Sequence, residues 1–177
     1  MNKKLFYIIV GIFIFSILVI GSWLVIETGI EVSSRATFCG LCHSMKPMVL
    51  SYRDNTHGGN NPRGITAACT DCHVSHENLV EHFIGKAQSG THDVIMTVFT
   101  DEMNLDWQAK RSERTNYVYD SGCLTCHQEL ETATADKGYH TNYFAGVTDT
   151  QCVECHEEIG HSNLNMYLLQ NRIRYSK

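Results

Sequence analysis

A chain of 177 residues whose apolar content is concentrated at its start has room for one membrane helix and one small domain of about 150 residues. Two prolines and the lack of any low-complexity tract exclude a fibrous or disordered chain. From Glu27 onward 12 Lys/Arg stand against 19 Asp/Glu, a balance of −7, which speaks against a nucleic-acid partner.

Leu5 to Ile26 is a run of 22 residues without a charge. At 1.5 Å per residue it spans roughly 33 Å, enough to cross the hydrocarbon core. A cleavable signal would carry a shorter apolar region and a small-x-small site, so the run reads as an uncleaved signal anchor. Lys3 and Lys4 hold the N-terminus in the cytoplasm, and the rest of the chain faces the other side. In a bacterium that compartment is the periplasm. The predicted division is residues 1–30 for the cytoplasmic tip and anchor and 31–177 for the periplasmic domain.

About a dozen residues after the anchor comes Cys39-Gly40-Leu41-Cys42-His43, the first of four Cys-x-x-Cys-His motifs. The others are Cys69–Cys72–His73, Cys123–Cys126–His127 and Cys152–Cys155–His156. Paired Cys-x-x-Cys is also zinc spacing, but no zinc site requires His directly after the second Cys. At this chain's histidine frequency, 10 in 177, four such placements have a chance of about one in a hundred thousand, so the motifs read as attachment sites for four c-type haems. All eight cysteines are consumed, which leaves neither disulfides nor a free catalytic thiol. Outside the anchor the chain is polar and loop-rich, and four large apolar haems would supply its core.

Between the second and third motifs, Asn78 to Phe99 reads as a helix or helix pair rich in apolar residues, weakened by Gly85 and Gly90. If it is continuous, His82, Lys86 and Asp93 share one face. Residues 101–118 read as a charged, exposed helix. Asn163 to Tyr175 reads as an amphipathic helix with Met166, Leu169 and Ile173 on one side and Arg172, Arg174 and Lys177 at its end. Membrane, partner and haem core are alternative surfaces for it.

The spacings reveal an internal duplication. Cys39 is followed after 18 residues by His57 and after 12 more by Cys69; Cys123 is followed after 17 by His140 and after 12 more by Cys152. The predicted fold is therefore mainly α, loop-rich and multihaem, with one N-terminal transmembrane helix. Its haem-packed domain comprises two pseudo-twofold dihaem halves, about 31–100 and 119–177. His57 and His140 are equivalent candidates for distal iron ligands, whereas His76, His82 and His92 have no repeat partner and read as surface residues.

The anchor, Cys-x-x-Cys-His-x-Met at Cys39–Met45, and His57-Gly58-Gly59 resemble the NapC/NirT/NrfH family of membrane-bound tetrahaem quinol dehydrogenases. So do Lys86 and Asp93 seven residues apart, His140-Thr141-Asn142, and His161 five residues after His156. The likeness covers nearly the whole chain. It implies a protein of the inner membrane that oxidises quinol, with menaquinol the expected form, and passes electrons to a periplasmic reductase for nitrite, nitrate or another acceptor. It also implies ligands across the pseudo-twofold: His73 with His140, His156 with His57, and His127 with His161. At the first haem the family's methionine, here Met45, can replace His43 as ligand, with Met48 nearby. Asp93 would lie on the other side of that haem. Some NrfH relatives lack a histidine like His140, so its presence points to the NapC/CymA-like branch.

A terminal multihaem reductase would use an open haem, often with Cys-x-x-Cys-Lys, and that motif does not occur. A pure electron-transfer anchor, or reverse flow that reduces quinone, uses the same haem motifs. Lys86 and Asp93 favour a quinol site: Lys86 as donor to a quinol oxygen, Asp93 as proton acceptor.

Overall fold

In the computed structural model, which describes residues 2–99 and 105–175, the chain is mainly helical, with loops between short helices. Among the described residues the only β-pairing is an isolated bridge between Gly58 and Thr66. The helices are α1 (Lys3–Ser34), α2 (Ala36–Cys39), α3 (Lys46–Arg53), α4 (Cys69–His73), α5 (Leu79–Phe99) and α6 (Trp107–Ser112). A 3₁₀ turn at Arg114–Asn116 leads on to α7 (Asp120–Cys126), α8 (Leu130–Ala133), α9 (Gly138–Phe144), α10 (Cys152–Cys155) and α11 (Leu164–Tyr175).

Asn2 caps α1, its side chain accepting from the Lys4 amide at 3.2 Å. The helix runs past the expected boundary at residue 30 to Ser34, and its mean hydropathy reaches 2.8. Three of its hydroxyls are satisfied within the helix. Ser16, Ser22 and Thr28 each donate to a carbonyl one turn back, at Ile12, Val19 and Leu24.

The side chains alone make a small core. Pro47, Val49, Val74, Val153 and Leu164 are the buried apolar residues larger than glycine or alanine among those described, each beside a haem motif or in the α3–α11 contact. So few cannot hold a domain of this size, as expected of a chain whose core is completed by haem. What fixes the loops is polar. Asn55 donates to the Glu158 carbonyl (3.1 Å) and to Ser162 Oγ (2.9 Å), and Ser51 donates to the Ser162 carbonyl (2.8 Å). These bonds tie α3 to the segment before α11.

The helix expected near Asn78–Phe99 is unbroken through Gly85 and Gly90. The expected charged helix is only α6 and the following turn, and residues 101–104 of that expectation lie outside the described ones. In α11, Leu164 is the buried residue, while Met166, Leu169 and Ile173 are 47–62% exposed to solvent in the polypeptide.

Candidate haem and quinol sites

The four motifs meet in pairs. The Cys39 thiol hydrogen-bonds that of Cys69, which draws Cys39 down to about 7 and pushes Cys69 up. Cys123 and Cys152 make the same contact, with Cys123 drawn to about 7 and Cys152 raised. Burial lifts Cys72 to about 11. Cys42, Cys126 and Cys155 complete the motifs, and no cysteine among the described residues is in a disulfide.

Two of the motif helices have the same start. In α4 the Asp71 carboxylate accepts from the Ala68 amide (2.8 Å), and in α10 Glu154 accepts from the Gln151 amide (2.7 Å). An acid between the two cysteines thus fixes each short helix. Asp120 accepts from the Cys152 amide at 3.0 Å and holds the Tyr143 hydroxyl, whose pKa burial and this bond raise.

Motifs two and three pack directly. Tyr119 donates its amide to the Cys72 carbonyl (3.0 Å) and Ser121 accepts the His76 amide (3.0 Å). Gly122 sits so close that a Cβ there would come within 1.8 Å of the Asp71 carbonyl oxygen. Gly58 similarly lies under the Tyr52 carbonyl, and Gly59 adopts φ 99°, so the pair after His57 is needed to turn that loop.

The histidine rings form three facing pairs. His57 and His127 have centroids 6.1 Å apart, His73 and His161 6.2 Å, and His140 and His156 6.3 Å. Two imidazoles bound on opposite sides of one metal, each by a bond of about 2 Å, have centroids about 6.3 Å apart. The spacing therefore fits an iron between each pair. These are not the expected partners: His73 faces His161 rather than His140, His156 faces His140 rather than His57, and His127 faces His57 rather than His161. Sequence spacing sets how far a histidine lies from a motif, but the turn preceding it decides where its ring points.

Three of the six rings are held by acceptors. His73 Nδ1 lies 2.7 Å from the Tyr117 carbonyl, His161 Nδ1 3.2 Å from the Met48 carbonyl and His57 Nδ1 3.3 Å from Asn55 Oδ1. A carbonyl only accepts, so the proton sits on Nδ1 and Nε2 keeps its lone pair for a metal. Burial beside His73 pushes the His161 pKa down to about 4, which keeps that ring neutral. The His140 Nδ1 is buried without a partner.

His76 and His82 are not the surface residues expected. Their rings meet edge to face at 4.7 Å, too close for an iron between them, and each bonds a backbone carbonyl. His92 is exposed, as expected, with Nδ1 3.5 Å from Asp93.

At the first motif, Met45 donates its amide to the Cys42 carbonyl (3.2 Å) and starts α3, while His43 is exposed. Lys86 reaches from α5 to the far end of α1, where its amine donates to the Ile30 carbonyl and Ser34 Oγ. Burial lowers its pKa. Asp93 and Lys86 both act electrostatically on the Cys39 thiol. They stand two turns apart on an unbroken helix, about 10 Å along its axis.

The family profile described as NapC/NirT cytochrome c family, N-terminal region, matches residues 1–166. The chain belongs to this family. It is 27% identical over 172 residues to the cytochrome c-type protein NrfH of Wolinella succinogenes, covering 93% of this chain and 91% of that one. It is 30% identical over 152 residues to the cytochrome c-type protein NapC of Escherichia coli, covering 78% and 74%. Its fold matches a chain in the crystal structure of the cytochrome c nitrite reductase NrfHA complex bound to the HQNO inhibitor. That match has a TM-score of 0.58 and 21% identity and covers 85% of this chain and 90% of the other. The protein is thus a membrane-anchored tetrahaem c-type cytochrome of electron transport.

Proposed function

We propose that this cytochrome oxidises membrane quinol, menaquinol in particular, beside its first haem and passes the electrons outward to a periplasmic reductase. The observation that carries the reading is the position of Lys86 and Asp93. Both act electrostatically on the first haem's attachment thiol Cys39, and Lys86 is fastened to α1 just beyond its uncharged run. A half-buried amine held there is suited to a polar ligand beside the first haem, because withdrawing charge from water is costly unless it is paired or used.

Bound haem accepts electrons one at a time, while quinol releases two electrons and two protons, so the protein must bind the quinol and take its protons. An ammonium has three N–H groups. Two of those on Lys86 are taken by Ile30 and Ser34, and the third holds a quinol oxygen. The exposed Asp93 carboxylate accepts a proton and passes it to water.

Cys39, Cys42, Cys69, Cys72, Cys123, Cys126, Cys152 and Cys155 attach the four haems. His57 with His127, His73 with His161 and His140 with His156 ligate three irons, and Met45 takes the place of His43 at the first. The recurring Cys39–Cys69 and Cys123–Cys152 contacts support two dihaem halves in the 31–177 domain, with residues 1–30 as tip and anchor. The partner is a nitrite, nitrate or similar reductase in the periplasm, and nucleic acid plays no part.

The test is reduction of the purified, haem-loaded protein by a menaquinol analogue in lipid, with dithionite reduction as the control. Rapid quinol reduction that is lost in Asp93→Asn supports the site. Reduction by dithionite alone would make the protein an electron carrier without its own quinol site.

A further inference from the structure

We infer that α5 lies along the membrane surface with its outer side in lipid, a second attachment beside the transmembrane helix. The inference rests on α1 spanning the membrane and not on the quinol assignment.

The helix is inverted relative to a water-facing one. At 3.6 residues per turn, Val80, Phe83, Ile84, Val94, Ile95 and Val98 fall on one arc of about 120° that carries no charged residue. Val80, Phe83, Ile84, Val94 and Val98 are 50–67% exposed, and no residue of the helix is buried. The groups that meet the protein lie on the other side. Lys86 binds the end of α1, His82 bonds the Ser75 carbonyl at 3.1 Å, and Gly85 approaches Val74. A soluble helix turns its apolar arc inward, whereas α5 turns its apolar arc outward.

Cys39, an attachment thiol of the first haem, feels Lys86 and Asp93, both of which lie outside the arc. The occupant is identified by continuity with α1. Lys86 grips α1 at Ile30 and Ser34, four and eight residues beyond Ile26, the last of the uncharged run. That places the contact about 6 to 12 Å past the apolar run, at headgroup depth, where an in-plane helix sinks its apolar side about 5–10 Å toward the acyl chains. At the last turns of α1, Val25, Val32 and Phe38 line a shallow apolar groove.

The experiment uses the full-length, haem-loaded protein in vesicles of phosphatidylethanolamine and phosphatidylglycerol doped with a phospholipid whose acyl chain carries a diazirine. After irradiation, mass spectrometry should find lipid adducts on α1 peptides and on those containing Phe83, Ile84, Val94 and Val98, with none on α9 or α10. In Val94→Glu/Val98→Glu, where both side chains are exposed and carry no packing, adducts on residues 87–99 should be lost while those on α1 remain. An unlabelled α5 beside a labelled α1 would overturn the inference. So would chemical cross-links from α5 to another protein chain in place of lipid adducts, since a second copy or a reductase would then be the occupant.

Discussion

The rings of His140 and His156 are nearly parallel, 12° apart at 6.3 Å, whereas the His73–His161 and His57–His127 pairs are tilted by 46° and 56°. Parallel imidazoles on one iron split its π-type d orbitals most strongly and give a rhombic low-spin electron paramagnetic resonance spectrum. Tilted planes give signals with a larger maximum g value. His140→Ala should therefore remove the most rhombic signal and create one high-spin haem, leaving the other low-spin signals in place. Loss of a large-g signal instead would show that His140 serves another iron.

The same geometry separates ligands from bystanders. His57→Ala and His161→Ala should each convert one low-spin haem to high spin, counted by magnetic circular dichroism. His82→Ala should convert none, because at 4.7 Å its ring contacts His76 rather than facing it across an iron.

Gly122→Ala should cost about 3 kcal/mol or more, since the added methyl would overlap the Asp71 carbonyl and push α7 off α4. Haem loading at the second and third motifs should fall together, read by haem-stained gels and mass. Gly138→Ala is the control. Nothing lies within 4 Å of its added Cβ, and removing a helical glycine gains about 0.5–1 kcal/mol.

Asp93→Asn should retain four haems and membrane insertion but slow quinol-driven reduction by about a hundredfold, at the low end for loss of a proton acceptor. Lys86→Leu should act mainly on quinol affinity. It also releases the Ile30 and Ser34 contacts, so its thermal stability should fall too. Stopped-flow reduction at varied quinol concentration separates the two effects, and unchanged kinetics in both variants would move the site elsewhere.

Replacing residues 1–26 by a cleavable export signal should leave a four-haem protein with steeply reduced quinol turnover. Differential sedimentation with vesicles checks its release from the membrane. If α5 also binds lipid, release should be incomplete at low protein-to-lipid ratio.

The local features were legible because each is written in consecutive residues. The anchor is a matter of length and charge between Leu5 and Ile26, and the haem motifs are covalent chemistry at fixed spacing. The long α5 follows from apolar periodicity strong enough to override Gly85 and Gly90. Even His57-Gly58-Gly59 announced a tight turn, although its reason, the approach to the Tyr52 carbonyl, needed the fold. Which histidine faces which was not legible. That depends on the directions set by Asn55, Tyr117 and Met48, whose acceptors come from loops and neighbouring helices rather than from the motifs they orient. The sequence alone determined how many haems the chain carries and on which side of the membrane they are expected. Only the tertiary structure decided which histidine rings stand opposite one another and which side of α5 meets the rest of the chain, because both depend on how separate segments are rotated against one another, and spacing along a chain carries no record of rotation.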